Sequence, residues 1–201
     1  MPANVVRIVR ELREDHRNMS LLLDLIEREA DRLFDGRDAD YELLHDIMRY
    51  MTVYPDAVHH PKEDRLYGEM RDVRPDLTSG FQRISLDHRK ISEMGVQIRN
   101  DLASIEAGSM ISRKSVVAEA LRYVNALRSH MQWEELDLFK RCLAMAEEGH
   151  EFLEAGESGL AGDPLFGPAT EAQFAGLLRR IRELAADTGD DVAGDTRRAH
   201  R

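Results

Sequence analysis

Two adjacent histidines and a proline interrupt an otherwise helical pattern in the stretch 58-VHHPKEDRLY-67. His59 and Glu63 lie four residues apart, and side chains at this spacing share one face of an α-helix. Pro61 has no amide hydrogen to donate, so a regular helix is disfavoured around it. We therefore expect a bend or a bulge in the helix here, a distortion that is often found at functional sites.

The same histidine–glutamate spacing returns in the second half of the chain, with His130 and Glu134 in the motif HMQWEE. Two further histidines, His16 in EDH and His88 in LDH, are separated by an interval only one position longer than that between the two HxxxE pairs. The chain thus contains the same unit twice, an Asp-His pair followed by an HxxxE pair. Such regular intervals indicate an internal repeat and not scattered surface histidines.

Apolar residues recur with the period of an α-helix over four long segments, and strand signals are weak throughout. Three breaks rich in Gly, Asp, Pro or Ser separate these segments, at residues 35–40, 73–80 and 107–112. Four amphipathic helices with short links predict an all-α fold, an up-down four-helix bundle. An additional short C-terminal helix is expected over residues 171–187.

The breaks also place the four histidines at one level of the predicted bundle. The break DGRDAD lies midway between His16 and His59, and the break AGSMIS lies midway between His88 and His130. At about 1.5 Å per residue, arms of about 18–20 residues carry the chain away from this level and back to it.

A level that holds four imidazoles and two carboxylates is suited to a pair of metal ions. A glutamate can bridge two ions, and two such glutamates offset much of the positive charge. Imidazole suits iron, zinc and copper, whereas carboxylates suit harder ions. The mixed set favours two non-haem iron ions, with manganese or zinc as substitutes. The expected metal ligands are His16, His59, Glu63, His88, His130 and Glu134.

These motifs resemble those of the hemerythrin-like family, in particular its bacterial HHE cation-binding branch. The resemblance covers about residues 10–140 and rests on EDH, HHPKED, LDH and HMQWEE. It implies a helical bundle with a carboxylate-bridged pair of iron ions that meets oxygen, nitric oxide or peroxide, held by the same six ligands. The segments DPLFG and LLRRI also resemble a C-terminal extension of this branch.

The sequence departs at two positions from the hemerythrins that carry oxygen. They have a second histidine four residues after the one that His88 matches, where this chain has Ser92. They have an aspartate five residues after the equivalent of His130, where this chain has Glu135 beside Glu134. One fewer histidine leaves room for water or another ligand, which favours nitric oxide or peroxide chemistry, sensing or iron handling. Ser92 and Glu135 are candidate neighbours of the ligands.

His60 and Asp64 form a second pair at the same spacing, rotated by about 100° from the first. Three roles stay open for this pair: metal ligands in place of the first pair, outer partners that orient the ligands, or solvated side chains. For Asp15 and Asp87, which precede matching histidines, a solvated or interhelical role is favoured over the orientation of a ligand.

The composition of the 201-residue chain narrows the class of protein. Hydrophobic residues make up 42%, enough for a core, and the net charge of −10 argues against nucleic acid and anionic membrane surfaces as partners. No apolar run approaches the roughly 18 residues that span a bilayer, and the N-terminus becomes charged too early for a signal peptide. The single cysteine, Cys142, is expected to be buried in a cytoplasmic protein.

Three regions are expected along the chain. Residues 1–148 form a hemerythrin-like bundle, residues 149–187 a C-terminal extension of loop and short helix, and residues 188–201 a disordered tail. The expected function is to bind or sense a small diatomic molecule or peroxide, with a redox partner protein left open. The alternative is an enzyme that reduces peroxide or nitric oxide, or an iron donor for the repair of damaged metal centres. We expect binding, because no cysteine pair or flavin motif supplies electrons.

Overall fold

The computed structural model describes residues 3–149 and 163–188. The chain divides into two compact units, Met1–Ala161 and Gly162–Arg201. The described residues form α-helices and no strand, which confirms the predicted all-α class. The helices are α1 (Ala3–Phe34), α2 (Tyr41–Met51), α3 (His60–Val73), α4 (Phe81–Glu106), α5 (Arg113–Trp133), α6 (Phe139–Glu147) and α7 (Ala175–Thr188). Most of the loop predicted after the bundle, and the tail from residue 189 onward, lie outside the described residues, so the predicted domain limits stay predictions.

Four arms build the bundle in the first unit. The first arm is α1 and the third is α4, while the second joins α2 to α3 and the fourth joins α5 to α6. Helix α1 packs against α2 and α5, and α4 packs against the same two helices from the other side. The predicted up-down four-helix bundle is thereby confirmed, and α7 is the additional short helix near the C-terminus.

The helix ends explain why two of the breaks lie where the sequence indicates them. Asp40 accepts a hydrogen bond of 3.0 Å from the amide of Leu43, and Ser112 accepts one of 3.1 Å from the amide of Ser115. Such caps satisfy amides that have no partner at the start of a helix. After α1, Gly36 has a φ of 77°, a conformation that glycine adopts at little cost where a helix ends.

A π-helical turn interrupts each of the two composite arms. The turns are Pro55–His59, just ahead of Pro61, and Glu134–Leu138. In each turn an amide bonds to the carbonyl five residues earlier, which inserts one extra residue into the helix. The HxxxE pairs keep their α-helical spacing, because the first turn ends at His59 and the second begins at Glu134. The bulge near Pro61 was predicted, whereas the second turn contains no proline and was not.

One polar layer crosses the apolar core of the first unit. Along α1, Leu12 and Met19 are buried on either side of the equally buried His16. Cys142 is buried on α6, as expected. The buried polar or charged side chains of this layer are Asp15, His16, His59, His60, Glu63, His88, His130 and Glu134. Among the described helices, none is both long enough and apolar enough to cross a membrane.

Candidate metal centre

The bundle brings all six predicted ligands together in the polar layer. Helices α1 and α4 each supply one histidine, and the second and fourth arms each supply one HxxxE pair. They form two overlapping groups, in which one ligand atom of each residue lies within 4.8 Å of the others. The first group is His16, His59, Glu63 and Glu134, and the second group is Glu63, His88, His130 and Glu134. Both glutamates therefore belong to both groups.

Glu63 faces the two groups with separate oxygens. Its Oε1 lies 3.2 Å from Nε2 of His59 and 3.8 Å from Nε2 of His16. Its Oε2 lies 3.3 Å from Nε2 of His88. Glu63 thus has one oxygen toward the nitrogens of each group and can contribute a ligand atom to both.

Glu134 lies between the groups in a different way. Its Oε2 is 3.5 Å from Nε2 of His16 and 3.4 Å from Nε2 of His130. Its Oε1 accepts a hydrogen bond of 3.4 Å from the hydroxyl of Tyr67. Tyr67 follows Glu63 by four residues, so helical spacing carried a signal for it, yet it was not predicted as part of the site.

Many buried nitrogen and oxygen atoms of these residues, which could bind a metal, have no hydrogen-bond partner in the part of the chain that the structure describes. Glu63 and Glu134 are both 0% exposed. Among the described residues, the unpartnered buried atoms of the centre are Nε2 of His16, both carboxylate oxygens of Glu63, Nε2 of His88, both ring nitrogens of His130 and Oε2 of Glu134. Buried polar atoms normally have a hydrogen-bond partner, and buried charges are paired or coordinate metals. The donor set therefore fits metal ions.

Burial and neighbouring charges set the protonation of the centre. Burial opposes the charged form of His59, but the charge of Glu63 and the hydrogen bond to Asp15 outweigh it and raise the pKa of His59 to about 9. Burial also opposes the charged form of Glu63, yet the surrounding histidines hold its pKa well below the usual range. Burial lowers the pKa of His130 to about 3, because the attraction of Glu63 offsets only part of the effect. An ionised glutamate and a neutral imidazole are the forms that bind metal, so Glu63 and His130 have the required form at neutral pH, whereas His59 must release a proton.

A buried aspartate fixes the ring of His59. Asp15 is 5% exposed, and its Oδ2 lies 3.1 Å from Nδ1 of His59. The hydroxyl of Tyr54 donates to Oδ1 at 2.9 Å, and the ammonium of Lys62 donates to Oδ2 at 3.4 Å. A carboxylate on the outer nitrogen is the usual support of a metal-binding histidine. The sequence favoured a solvated or interhelical Asp15, and the structure places it between helices with the orienting role that was ranked second.

His60 lies beside the centre and outside both groups. Its ring stacks on His88 with 3.8 Å between centroids and 13° between planes. Its Nδ1 lies 3.0 Å from Oδ1 of Asp56, and the other oxygen of Asp56 accepts a hydrogen bond of 2.8 Å from Ser92. Asp64 is exposed. His60 and Ser92 thus support the centre from outside, and the alternative pair of His60 with Asp64 is not brought into either group.

A small surface pocket adjoins His16 of the first group. Glu135, whose side chain is 41% exposed, places its Oε1 3.0 Å from Nδ1 of His16. Both residues line a pocket of about 240 Å³, together with Ser20, Arg128, Met131, Gln132 and Leu136. Of the six candidate ligands, His16 is the one that lines this pocket.

A four-helix bundle with a buried layer of histidines and shared glutamates defines a helical metal-binding protein. A family model described as the hemerythrin HHE cation binding domain matches residues 7–155 of the chain. The chain belongs to this family, as the repeated motifs predicted. No curated protein and no solved structure matches the chain. Cation binding is thus supported by the family and by the buried His/Glu groups together.

Proposed function

We propose that this protein is a non-haem iron protein whose two-ion centre binds or senses a small ligand such as oxygen, nitric oxide or peroxide. The observation that carries this proposal is the pair of overlapping buried groups that share Glu63 and Glu134. Two shared carboxylates with two histidines on either side support two ions better than one. Iron bound there supplies redox-active positions at which small molecules of this kind coordinate.

The side chains around the centre hold the candidate ligands in place. Asp15 holds the ring of His59, and Glu135 holds the ring of His16. The ring of Phe139 stacks on the ring of His16, with 5.4 Å between centroids. Ordered donors in a dry site are what a reactive metal centre needs in order to avoid side reactions.

The size of the pocket beside His16 supports a small ligand. Its volume of about 240 Å³ is below the roughly 300–1,000 Å³ that is typical of pockets for larger organic ligands. Its lining includes the polar side chains of Ser20, Gln132 and Glu135. Diatomic molecules and peroxide are small enough for such a pocket.

Purification without oxygen, followed by metal analysis, tests the proposal. We expect two iron ions per chain, and a change in the optical spectrum on separate addition of oxygen, nitric oxide or peroxide. A stable adduct supports binding or sensing, whereas catalytic loss of peroxide or nitric oxide supports the alternative of an enzyme. An iron content well below two per chain, or no response to any of the three molecules, contradicts the proposal.

Substitutions of Ser20 test whether the ligand enters through the pocket. Ser20→Phe fills part of the pocket and is expected to slow the association of nitric oxide while the iron content stays unchanged. Ser20→Ala is the matched control, since it leaves the pocket open and should keep the original rate. Equal association rates in the two variants would show that the ligand enters elsewhere.

A further inference from the structure

The internal repeat allows the two groups of the centre to be compared position by position. It pairs His16 with His88 and His59 with His130, at intervals that differ by a single position. Each of these histidines has an outer nitrogen, the Nδ1 atom that faces away from the glutamates. If the two halves of the centre were equivalent, paired histidines would make the same contacts at this atom. These contacts differ in both pairs. In each pair the histidine of the first repeat has a carboxylate near its outer nitrogen, and the histidine of the second repeat has none within hydrogen-bond distance among the described residues.

The first difference concerns the aspartate that precedes the first histidine of each repeat. Oδ2 of Asp15 lies 3.1 Å from Nδ1 of His59. The equivalent Asp87 is 3.8 Å from Nδ1 of His130, and that nitrogen has no hydrogen-bond partner in the described part of the chain. Asp87 is instead bonded to Arg83 at 2.8 Å.

The sequence explains why only one aspartate reaches its histidine. The residue equivalent to Arg83 in the first repeat is Glu11, so no cation at that position attracts Asp15. Asp15 is held by a tyrosine and a lysine of the second arm, and its side chain is 7% exposed. The side chain of Asp87 is 21% exposed.

The second difference concerns the histidines of α1 and α4. Nδ1 of His16 lies 3.0 Å from a carboxylate oxygen of Glu135. The residue equivalent to Glu135 is Asp64, which is exposed. Within residues 3–149 and 163–188, the only carboxylate within 4.0 Å of His88 is the shared glutamate that faces its Nε2. Stacking on His60 holds the ring of His88 in place of a hydrogen bond.

We propose that the two ion positions are unequal: the position formed by His16 and His59 retains its ion, and the position formed by His88 and His130 exchanges its ion readily. This inference rests on the proposed two-ion centre. A carboxylate on the outer nitrogen fixes the ring and strengthens the imidazole as a donor, and its loss typically lowers metal affinity about 10–100-fold. The first position has two such carboxylates, and the second has none within hydrogen-bond distance among the described residues. Both glutamates belong to both positions, so the contacts at the outer nitrogens are the difference on which the inference rests.

A titration of the full chain with cobalt(II), after a chelator has removed bound metal, tests the inference. The visible absorption of cobalt reports its binding, and we expect two steps, of which the first is at least about tenfold tighter. Two nearby ions also repel one another, so unequal steps alone do not identify the cause. Matched variants in the two halves of the repeat therefore show whether the outer carboxylates cause the unequal affinities.

Asp15→Asn removes the carboxylate beside His59 and is expected to weaken the first step by about 10–100-fold. Asp87→Asn, the equivalent change in the second repeat, should leave both steps as they are. Glu135→Gln should weaken the first step as well, and because this side chain is half-exposed it serves as the check if Asp15→Asn fails to fold. Circular dichroism establishes the fold of each variant.

Two results would overturn the inference and leave the proposed function intact. One is the binding of two ions in a single step of equal affinity, and the other is an equal loss of affinity in Asp15→Asn and Asp87→Asn. Binding of fewer than two cobalt ions by the unchanged chain is a different failure. It would remove the two-ion centre itself, and the inference with it.

Discussion

Glu63 is the residue on which both halves of the centre depend, because its two oxygens face histidines of different groups. Glu63→Ala is expected to reduce bound metal well below two ions per chain, since both positions lose a ligand. Metal analysis after dialysis measures the loss. Asp64→Ala, a change at the exposed neighbour, is the control and should keep both ions. Retention of two ions by Glu63→Ala would exclude a bridging role.

His59 and His60 are adjacent, yet their removal should have different effects. His59→Ala removes a candidate ligand whose Nε2 lies 3.2 Å from Glu63. His60→Ala removes only the ring that stacks on His88. We therefore expect His59→Ala to lower metal affinity more than His60→Ala, in the same titration with cobalt(II). The opposite order would indicate that His60, and not His59, is the metal ligand.

For single residues, the sequence indicates which side chains come together in the centre. It indicates less often which neighbours hold those side chains in position. The matching intervals between the two repeats sufficed to predict the members of both groups. The roles of Asp15 and Asp87 were not predicted, although their local contexts differ at one position, where Arg83 precedes Asp87 by four residues and Glu11 precedes Asp15. Only the packed structure shows that Arg83 binds one of them, while a tyrosine and a lysine hold the other beside His59.

The helices themselves were largely predictable from apolar periodicity and from the breaks between them. The π-helical turn at Pro55–His59 had a signal in Pro61, whereas the turn at Glu134–Leu138 had none. Tertiary contacts provide a reason for the second turn, since Glu135 within it reaches His16 on another helix. A distortion that depends on partners far along the chain is not visible in a local pattern.

Gly95 of α4 lies in close packing between helices. A Cβ at this position would lie 3.0 Å from Cγ2 of Thr52 and 3.3 Å from the ring of Tyr123. Overpacking of this kind costs about 1–3 kcal/mol. At Gly68 of α3 a Cβ would meet nothing within 4 Å, and alanine there stabilises a helix by about 0.5–1 kcal/mol.

The two glycines therefore give a matched pair for thermal unfolding. Gly95→Ala should melt at a lower temperature than Gly68→Ala, because both changes share the gain in helix propensity and only the first meets close neighbours. Differential scanning calorimetry measures the difference. A melting temperature for Gly95→Ala equal to that of Gly68→Ala would mean that Thr52 and Tyr123 yield without cost.

For the molecule as a whole, the polar layer links metal content to stability. Burial and repulsion from Glu63 raise the pKa of Glu134 to about 7, so the two carboxylates disfavour each other's charge within the core. An ion that binds only the folded chain stabilises it by about 4 kcal/mol at a free concentration of about 1,000 times its Kd. For a chain of this size, each kcal/mol corresponds to about 2–4 °C in melting temperature.

Removal of metal by a chelator is therefore expected to lower the melting temperature by on the order of 10 °C. Calorimetry before and after chelation, with metal added back to restore the original value, measures this effect. The Glu63→Ala variant provides the control, since a chain that holds less metal should respond less to the chelator. If the melting temperature of the unaltered protein stays the same after chelation, bound metal does not contribute to the stability of the bundle.

The shared position of Glu134 has a consequence for how occupants of the two groups in the proposed two-ion centre affect each other. One oxygen, Oε2, lies 3.5 Å from His16 and 3.4 Å from His130, so the same atom is available to both groups. In the proposed centre, an ion at one position would change the electron density and orientation of a donor at the other, which is thermodynamic linkage through a single atom. Linkage between binding sites is reciprocal. A small molecule that alters the affinity for an ion on one side of Glu134 must have its own affinity altered, by the same factor, when that ion binds.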